Sequence, residues 1–274
     1  MTGSTTTGSP MTGSPMSGST GSGGPSAVRV AVLYPELLGT YGDGGNAAVL
    51  AARARARGLA AEVVEVVGSE ALPAADVYLL GGGEDGPQRH VARLLAQEDR
   101  MARAVEAGGA VLAVCAGMQI LGSAFRDVDG SVPGLSLLPC RTVEPLPAER
   151  RAVGEVVAEA DPSLGLPPLL GFENHGGRTA LDDGAVPLGR VLRGTGNGVG
   201  EASVDGVVAG RVVGTYLHGP VLALNPALAD QLLAWATGTD RAGLPAGDER
   251  LAVLDEAAAQ ARAVRLRMAG LPAA

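Results

Sequence analysis

The chain predicts an α/β fold: a mostly parallel sheet with helices on both faces, extended by an antiparallel β region. Three observations carry this reading. Between residues 27 and 119, short apolar runs alternate with helix-length stretches, the spacing that joins parallel strands through helical crossovers. Glycine-rich or small-residue turns follow three of those runs, at residues 41–46, 81–83 and 115–117. Beyond residue 130 the pattern changes to many Gly and Pro residues with short β-like pieces, which predicts antiparallel pairing against one edge of the parallel sheet.

In chain order, residues 1–26 hold Thr, Gly, Ser, Pro and Met, with no charge before Arg29. They have neither the basic nor the apolar region of a secretory signal, and too little apolar area to offset their ordering entropy. We read them as a disordered tail that activity does not need. Residues 27–33 form the first strand. The loop Tyr41-Gly-Asp-Gly-Gly-Asn46 then opens a helix to about Arg57, stopped by Gly58. Residues 63–67 and 76–80 are the next strands, the second ending in Gly81-Gly82-Gly83. A long amphipathic helix covers about 87–107, and Gly108-Gly109 leads into the strand before Cys115. In the second half, strands are expected at 152–158, 169–173, 190–192, 207–209 and 211–217, with a hairpin turn at Gly196-Asn-Gly198. Helices at 225–237 and about 248–268 close the chain. The expected domains are a catalytic unit over 27–240 and a helical extension over 241–274 packed on it.

Composition excludes several classes of function. No stretch reaches the roughly 18 apolar residues of a membrane span. A net charge of −8 with scattered arginines argues against nucleic acid as the primary ligand. Three histidines and two cysteines, none at ligand spacing, make no structural metal site, and Cys115 with Cys140 is no disulfide framework. A reduced thiol fits the cytoplasm.

The chemistry concentrates at residues 111–119, V-L-A-V-C-A-G-M-Q. A buried strand ends at Cys115, and small residues let the chain turn at once into a helix, as in a nucleophile elbow. Free N–H groups at that helix start favour thiolate over thiol. His218 follows the apolar run V-V-G-T-Y-L at another strand's carboxyl end. Sites in open α/β sheets form along that edge, so Cys115 and His218 are expected to share one crevice as a Cys–His dyad. The triplet Gly81–Gly83 reads as an oxyanion hole, completed by the N–H of Ala116. The 41–46 loop lacks the G-K-[ST] of a phosphate loop.

C-A-G-M-Q after a strand, G-G-G before a helix and Y-L-H-G at a later strand end resemble class I glutamine amidotransferases, more narrowly the CobB/CobQ-like group. Three further segments resemble its branch of glutaminase subunits from lipid II isoglutaminyl synthases. They are Tyr41-Gly-Asp-Gly-Gly-Asn46, Gly81-Gly-Gly-Glu-Asp-Gly-Pro-Gln88 and Gly171-Phe-Glu-Asn-His-Gly-Gly-Arg-Thr179. The resemblance spans roughly residues 28–233 and implies a flavodoxin-like core. It implies that Cys115 attacks the side-chain amide of L-glutamine and that His218 activates the thiol. Gln119, Arg151, Gly82, Gly83 and Ala116 are then the substrate-binding set, with Arg151 near the substrate carboxylate. It also implies a Mur-ligase-like synthetase partner that activates the D-glutamate of the lipid II stem peptide. This chain would hold no cofactor, and ATP and metal would belong to that partner. A cobyrinate-type acceptor, or a non-catalytic regulatory module on the same fold, are the alternatives. One departure stands out. Ordinary class I enzymes carry a glutamate two residues after the histidine, but here the run is His218-Gly219-Pro220. A water, a backbone carbonyl or a partner's carboxylate is expected to orient the imidazole.

Overall fold

The computed structural model describes residues 1, 3, 27–127, 129–143, 145, 150–199 and 203–272. The tail predicted over 1–26 therefore lies outside the described residues, apart from positions 1 and 3.

The core is a six-stranded sheet made of β1 (Val28–Leu33), β2 (Ala61–Val66), β3 (Val77–Leu80), β4 (Ala110–Val114), β13 (Val207–Ala209) and β14 (Val212–Thr215). Its order is β13-β14-β4-β3-β1-β2. All pairings are parallel except that of β13 with β14. The parallel part has the strand order of a flavodoxin-like doubly wound sheet. Strands β3, β4 and β14 are buried along their whole length, as expected of strands covered on both faces. Crossovers run through α1 (Gly45–Ala56), α2 (Asp85–Ala96), α3 (Arg100–Glu106) and α4 (Ala116–Leu121). After β14 come α5 (Val221–Leu224), α6 (Pro226–Thr237) and α7 (Glu249–Met268).

Two two-stranded pairs and a separate sheet fill the second half. β5 (Ala124–Asp127) pairs with β6 (Gly130–Pro133), and β7 (Cys140–Val143) with β10 (Arg178–Leu181). β8 (Ala152–Ala160), β9 (Leu169–His175), β11 (Gly189–Arg193) and β12 (Val204–Asp205) form an antiparallel sheet in the order β12-β11-β8-β9. Among the described residues the antiparallel region is thus mostly a sheet of its own, and β13 is the one strand of it that joins the edge of the main sheet.

Two predicted elements depart from the sequence reading, and β5, β6, β7, β10, β12 and α5 have no counterpart in it. The helix expected over 87–107 is broken. Glu98 and Asp99 take left-handed conformations (φ 54° and 51°) between α2 and α3, states that short acidic side chains such as Asp visit at modest cost. Gly196-Asn-Gly198 is not a two-residue hairpin turn but part of the longer passage from β11 to β12. There the Asn197 side chain is fully buried and bonds both backbone groups of Gly206.

Candidate active site

Four adjacent strands of the sheet, β14, β4, β3 and β1, deliver their carboxyl ends to one place. Cys115 follows β4 and caps α4 with φ 52° and ψ −107°, a strained backbone that aims the side chain out of the turn. Its N–H donates to Thr215 O across the sheet at 2.8 Å. Gly81–Gly83 follow β3, and Tyr216 to His218 follow β14. The 41–46 loop, reached from β1, closes the ring. Together they line a pocket of about 440 Å³ that includes Cys115, His218, Gly83, Gln119 and Arg151.

His218 is fully buried. Its Nδ1 bonds Asp43 Oδ2 at 2.9 Å, and the same oxygen accepts the N–H of Gly82 at 2.8 Å. Two expectations are corrected here. The imidazole is oriented by Asp43 of this chain, rather than by a water, a backbone carbonyl or a partner's carboxylate. The Gly82 N–H, assigned above to the oxyanion hole, is already engaged by Asp43. What Gly82 supplies is room: a Cβ there would stand 2.6 Å from His218 Cε1. Gly83 lines the pocket, and Ala116 is the first residue of α4, where helix geometry leaves the backbone N–H unpaired.

Burial works against an imidazolium at His218, yet the Asp43 and Cys115 interactions outweigh it and push the pKa up to about 9. Nε2 has no partner of strict hydrogen-bond geometry, so the thiol that couples to the ring is its neighbour on that side. Cys140 is the contrast. It is buried, away from the pocket lining, and desolvation drives its thiol up to about 12, which leaves it unreactive.

The pocket floor is a chain of amides and hydroxyls. Gln119 Oε1 accepts from Gln88 Nε2 at 2.8 Å, and Gln119 Nε2 donates to the Tyr216 hydroxyl at 2.9 Å. That hydroxyl shares a 2.8 Å bond with Thr179 Oγ1, and the His175 ring stacks on Tyr216 with centroids 3.6 Å apart. Burial and the neighbouring Cys115 hold the Tyr216 phenol above its ordinary range. The Gln119 amide is therefore fixed in one orientation. At the mouth, Arg151 is exposed. Its Nε donates to Asn174 Oδ1 and its Nη2 to Asn174 O at 3.1 Å, while Asn174 Nδ2 donates to the Tyr41 hydroxyl. The Tyr41 ring meets His218 edge-on at 5.0 Å. Glu173, in the same segment, accepts the N–H groups of Thr195 and Gly196 at 2.8 Å each, so it anchors the loop after β11.

All the residues singled out from sequence thus line or border one cleft, joined by Asp43, Gln88, Tyr216, Tyr41 and Asn174. The sequence showed Asp43 only as a lone acid in a glycine loop, and its place beside Gly81–Gly83 follows from the pairing of β1 with β3.

A model of the CobB/CobQ-like glutamine amidotransferase domain matches residues 29–226. The chain belongs to this family. Two relatives match over about three quarters of the chain. A lipid II isoglutaminyl synthase (glutamine-hydrolyzing) subunit GatD of Staphylococcus aureus is 36% identical over 76% of this chain and 83% of its own length. The subunit of the same name from Streptococcus pneumoniae is 33% identical over 77% of this chain and 81% of its own. A cobyric acid synthase of Pelotomaculum thermopropionicum is 41% identical, but over 48% of this chain and 27% of that protein. Among solved structures, one described as a glutamine amidotransferase superposes with a TM-score of 0.53 at 24% identity, over 76% of this chain and 98% of that one. Among the described residues no helix is long and apolar enough to cross a membrane.

Proposed function

We propose that this chain hydrolyses L-glutamine to glutamate and ammonia through a Cys115 thioester. It does so as the glutaminase subunit of a lipid II isoglutaminyl synthase. The observation that carries the reading is the Asp43–His218–Cys115 array at the carboxyl edge of the sheet. The relatives named GatD support the subunit assignment, because the likeness runs across more than four fifths of their length and only about a quarter of a cobyric acid synthase.

Each residue then has a task. Asp43 fixes His218 in the tautomer with hydrogen on Nδ1 and favours its protonated form. His218 holds the thiol proton through Nε2, so the Cys115 sulfur attacks Cδ of glutamine as thiolate. The carbonyl oxygen becomes an oxyanion facing the N–H groups of Gly83 and Ala116. Collapse breaks the C–N bond as His218 returns its proton to nitrogen, and ammonia leaves. Water, deprotonated by His218, then cleaves the thioester and frees glutamate with the thiol restored. Gln119, held by Gln88 and Tyr216, positions the substrate, and the unengaged edge of Arg151 takes its α-carboxylate. The ammonia passes to a Mur-ligase-like synthetase subunit that activates the D-glutamate carboxyl of lipid II. ATP and metal belong to that subunit.

The test is to co-purify the chain with the Mur-ligase-like protein and supply glutamine, ATP and Mg²⁺ with either lipid II or a cobyrinate acceptor. Amidated lipid II with matching glutamate release supports the assignment. Amidation of the cobyrinate alone, or no glutamate release from either mixture, overturns it.

A further inference from the structure

One large element has no role in the site as described. Helix α7 lies wholly beyond the family match, which ends at residue 226. It is 20 residues long but buries only Leu251, Ala258 and Leu266, and it leaves Val253, Val264 and Met268 to solvent. Leu266 packs with Val157, Leu170 and Leu224, Arg265 Nη1 donates to Glu155 Oε2 of β8 at 2.5 Å, and most of the helix's other polar bonds go to two segments.

The first segment is α1, which begins just after Asp43. Asp255 Oδ1 accepts from the buried Arg53 Nη1 at 2.6 Å, Arg250 Nη2 donates to Arg55 O at 3.2 Å, and Asp248 N donates to Ala56 O at 2.8 Å. The second segment surrounds His218. Arg262 Nη1 donates to Leu224 O at 2.9 Å and Asn225 Oδ1 at 3.1 Å, and its Nη2 donates to Pro168 O at 2.7 Å. Leu224 ends α5, the short helix that follows His218. Pro168 leads into β9, whose Phe172 exchanges both backbone bonds with His218, at 2.8 and 3.3 Å. Asn225 knots these pieces together. It accepts from Leu170 N at 2.9 Å and donates to Leu170 O and Val221 O at 2.7 Å each.

The two segments also touch each other. Leu222 N donates to Asn46 Oδ1 at 3.0 Å, and Gly45 packs so closely on Pro220 that a Cβ would lie 2.4 Å from its Cγ. Helix α7 therefore spans the two pieces of chain that bring Asp43 and His218 within one hydrogen bond.

We propose that α7 is a brace for the Asp43–His218 pair and that Arg262 is its positioning residue, fixing both flanks of His218 at once. The three acceptors of Arg262 are two carbonyls and an amide oxygen, so its guanidinium acts as a geometric clamp and not as a counter-charge. Without it, Pro168, Leu224 and Asn225 each lose a donor in a part-buried setting. The β9 and α5 flanks can then move apart, and His218 drifts from Asp43 Oδ2. The inference rests on the reading of His218 as the catalytic acid and base.

The test uses the full chain with glutamine as the probe and glutamate release as the readout, for Arg262→Met, Arg262→Lys and His218→Asn. Displacement of about an ångström at a catalytic group costs up to roughly 10²-fold. Arg262→Met is expected to lose about 10- to 100-fold in kcat with KM within about twofold. The alkaline limb of its pH profile should move below that of the parent chain. Arg262→Lys, which keeps donors but loses the fork, should fall between, and it carries the test if the Met variant does not fold. Folded variants with parental kcat and an unmoved alkaline limb, even with a lower thermal midpoint, would show that Arg262 only fastens α7. Retained activity in His218→Asn would instead sink the catalytic reading itself.

Discussion

Replacing Asp43 by Asn tests the internal triad. The substitution keeps shape and leaves an amide oxygen for the Gly82 N–H and His218 Nδ1, but removes the charge. In the parent chain His218 is pushed from 6.5 to about 9 despite its burial. That corresponds to roughly 3 kcal/mol in favour of the imidazolium. Of the influences that raise it, the Asp43 bond comes first. Without that charge, burial acts with less opposition and the alkaline limb of kcat/KM moves down from about 9 toward neutrality. With the limb near 7, the protonated fraction at pH 8 falls about 10-fold, and loss of the orienting acid in a serine triad reaches about 10⁴. The expected loss in Asp43→Asn is therefore between about 10 and 10⁴ in kcat/KM at pH 8. The assay is glutamate release across pH 5.5–10, with and without the synthetase partner. Parental turnover with an unmoved limb, or full rescue on adding the partner, would refute an in-chain acid.

Three further outcomes follow from the same geometry. Cys115→Ala should lose glutamine hydrolysis by several orders of magnitude, and Cys140→Ala should keep it; the reverse pattern in a steady-state assay would exchange their roles. Arg151→Met should raise KM for glutamine about 10-fold or more with kcat changed much less, since a charge-assisted bond of 1.5–3 kcal/mol is lost; an unchanged KM removes Arg151 from the substrate. His218 titrates higher folded than unfolded, so the stability it lends is fully present below about 6.5 and fades as pH rises through about 9. Relative to His218→Asn, the parent's thermal midpoint should thus lose its advantage across that window, and a parallel pair of curves would contradict the assignment.

What the sequence disclosed is what local pattern encodes. The apolar run into C-A-G placed the elbow at Cys115, and V-V-G-T-Y-L-H placed His218 at a strand end, because burial and turning depend on neighbours in the chain. Asp43 was illegible for the opposite reason. It meets His218 across 175 positions, and nothing in Tyr41-Gly-Asp-Gly-Gly-Asn46 states which strand lies beside β1. The engaged N–H of Gly82 was hidden with it. The break at Glu98 and Asp99 was likewise unreadable, since both residues suit a helix well enough. Of the β pieces of the second half, β8, β9, β11, β13 and β14 were read from pattern while β5, β6, β7, β10 and β12 were not, and the pairing into a separate sheet rests on long-range partners such as Ala152 with His175.

The account stands or falls on a Cys115 thiolate that meets glutamine under the hand of His218. The direct measurement is peptide mass spectrometry of the chain after exposure to the diazoketone analogue of glutamine, a substrate-shaped electrophile. The prediction is one adduct, on the peptide carrying Cys115, prevented by excess glutamine and formed far more slowly in His218→Asn. An adduct on Cys140, or one on Cys115 indifferent both to glutamine and to loss of His218, would contradict it.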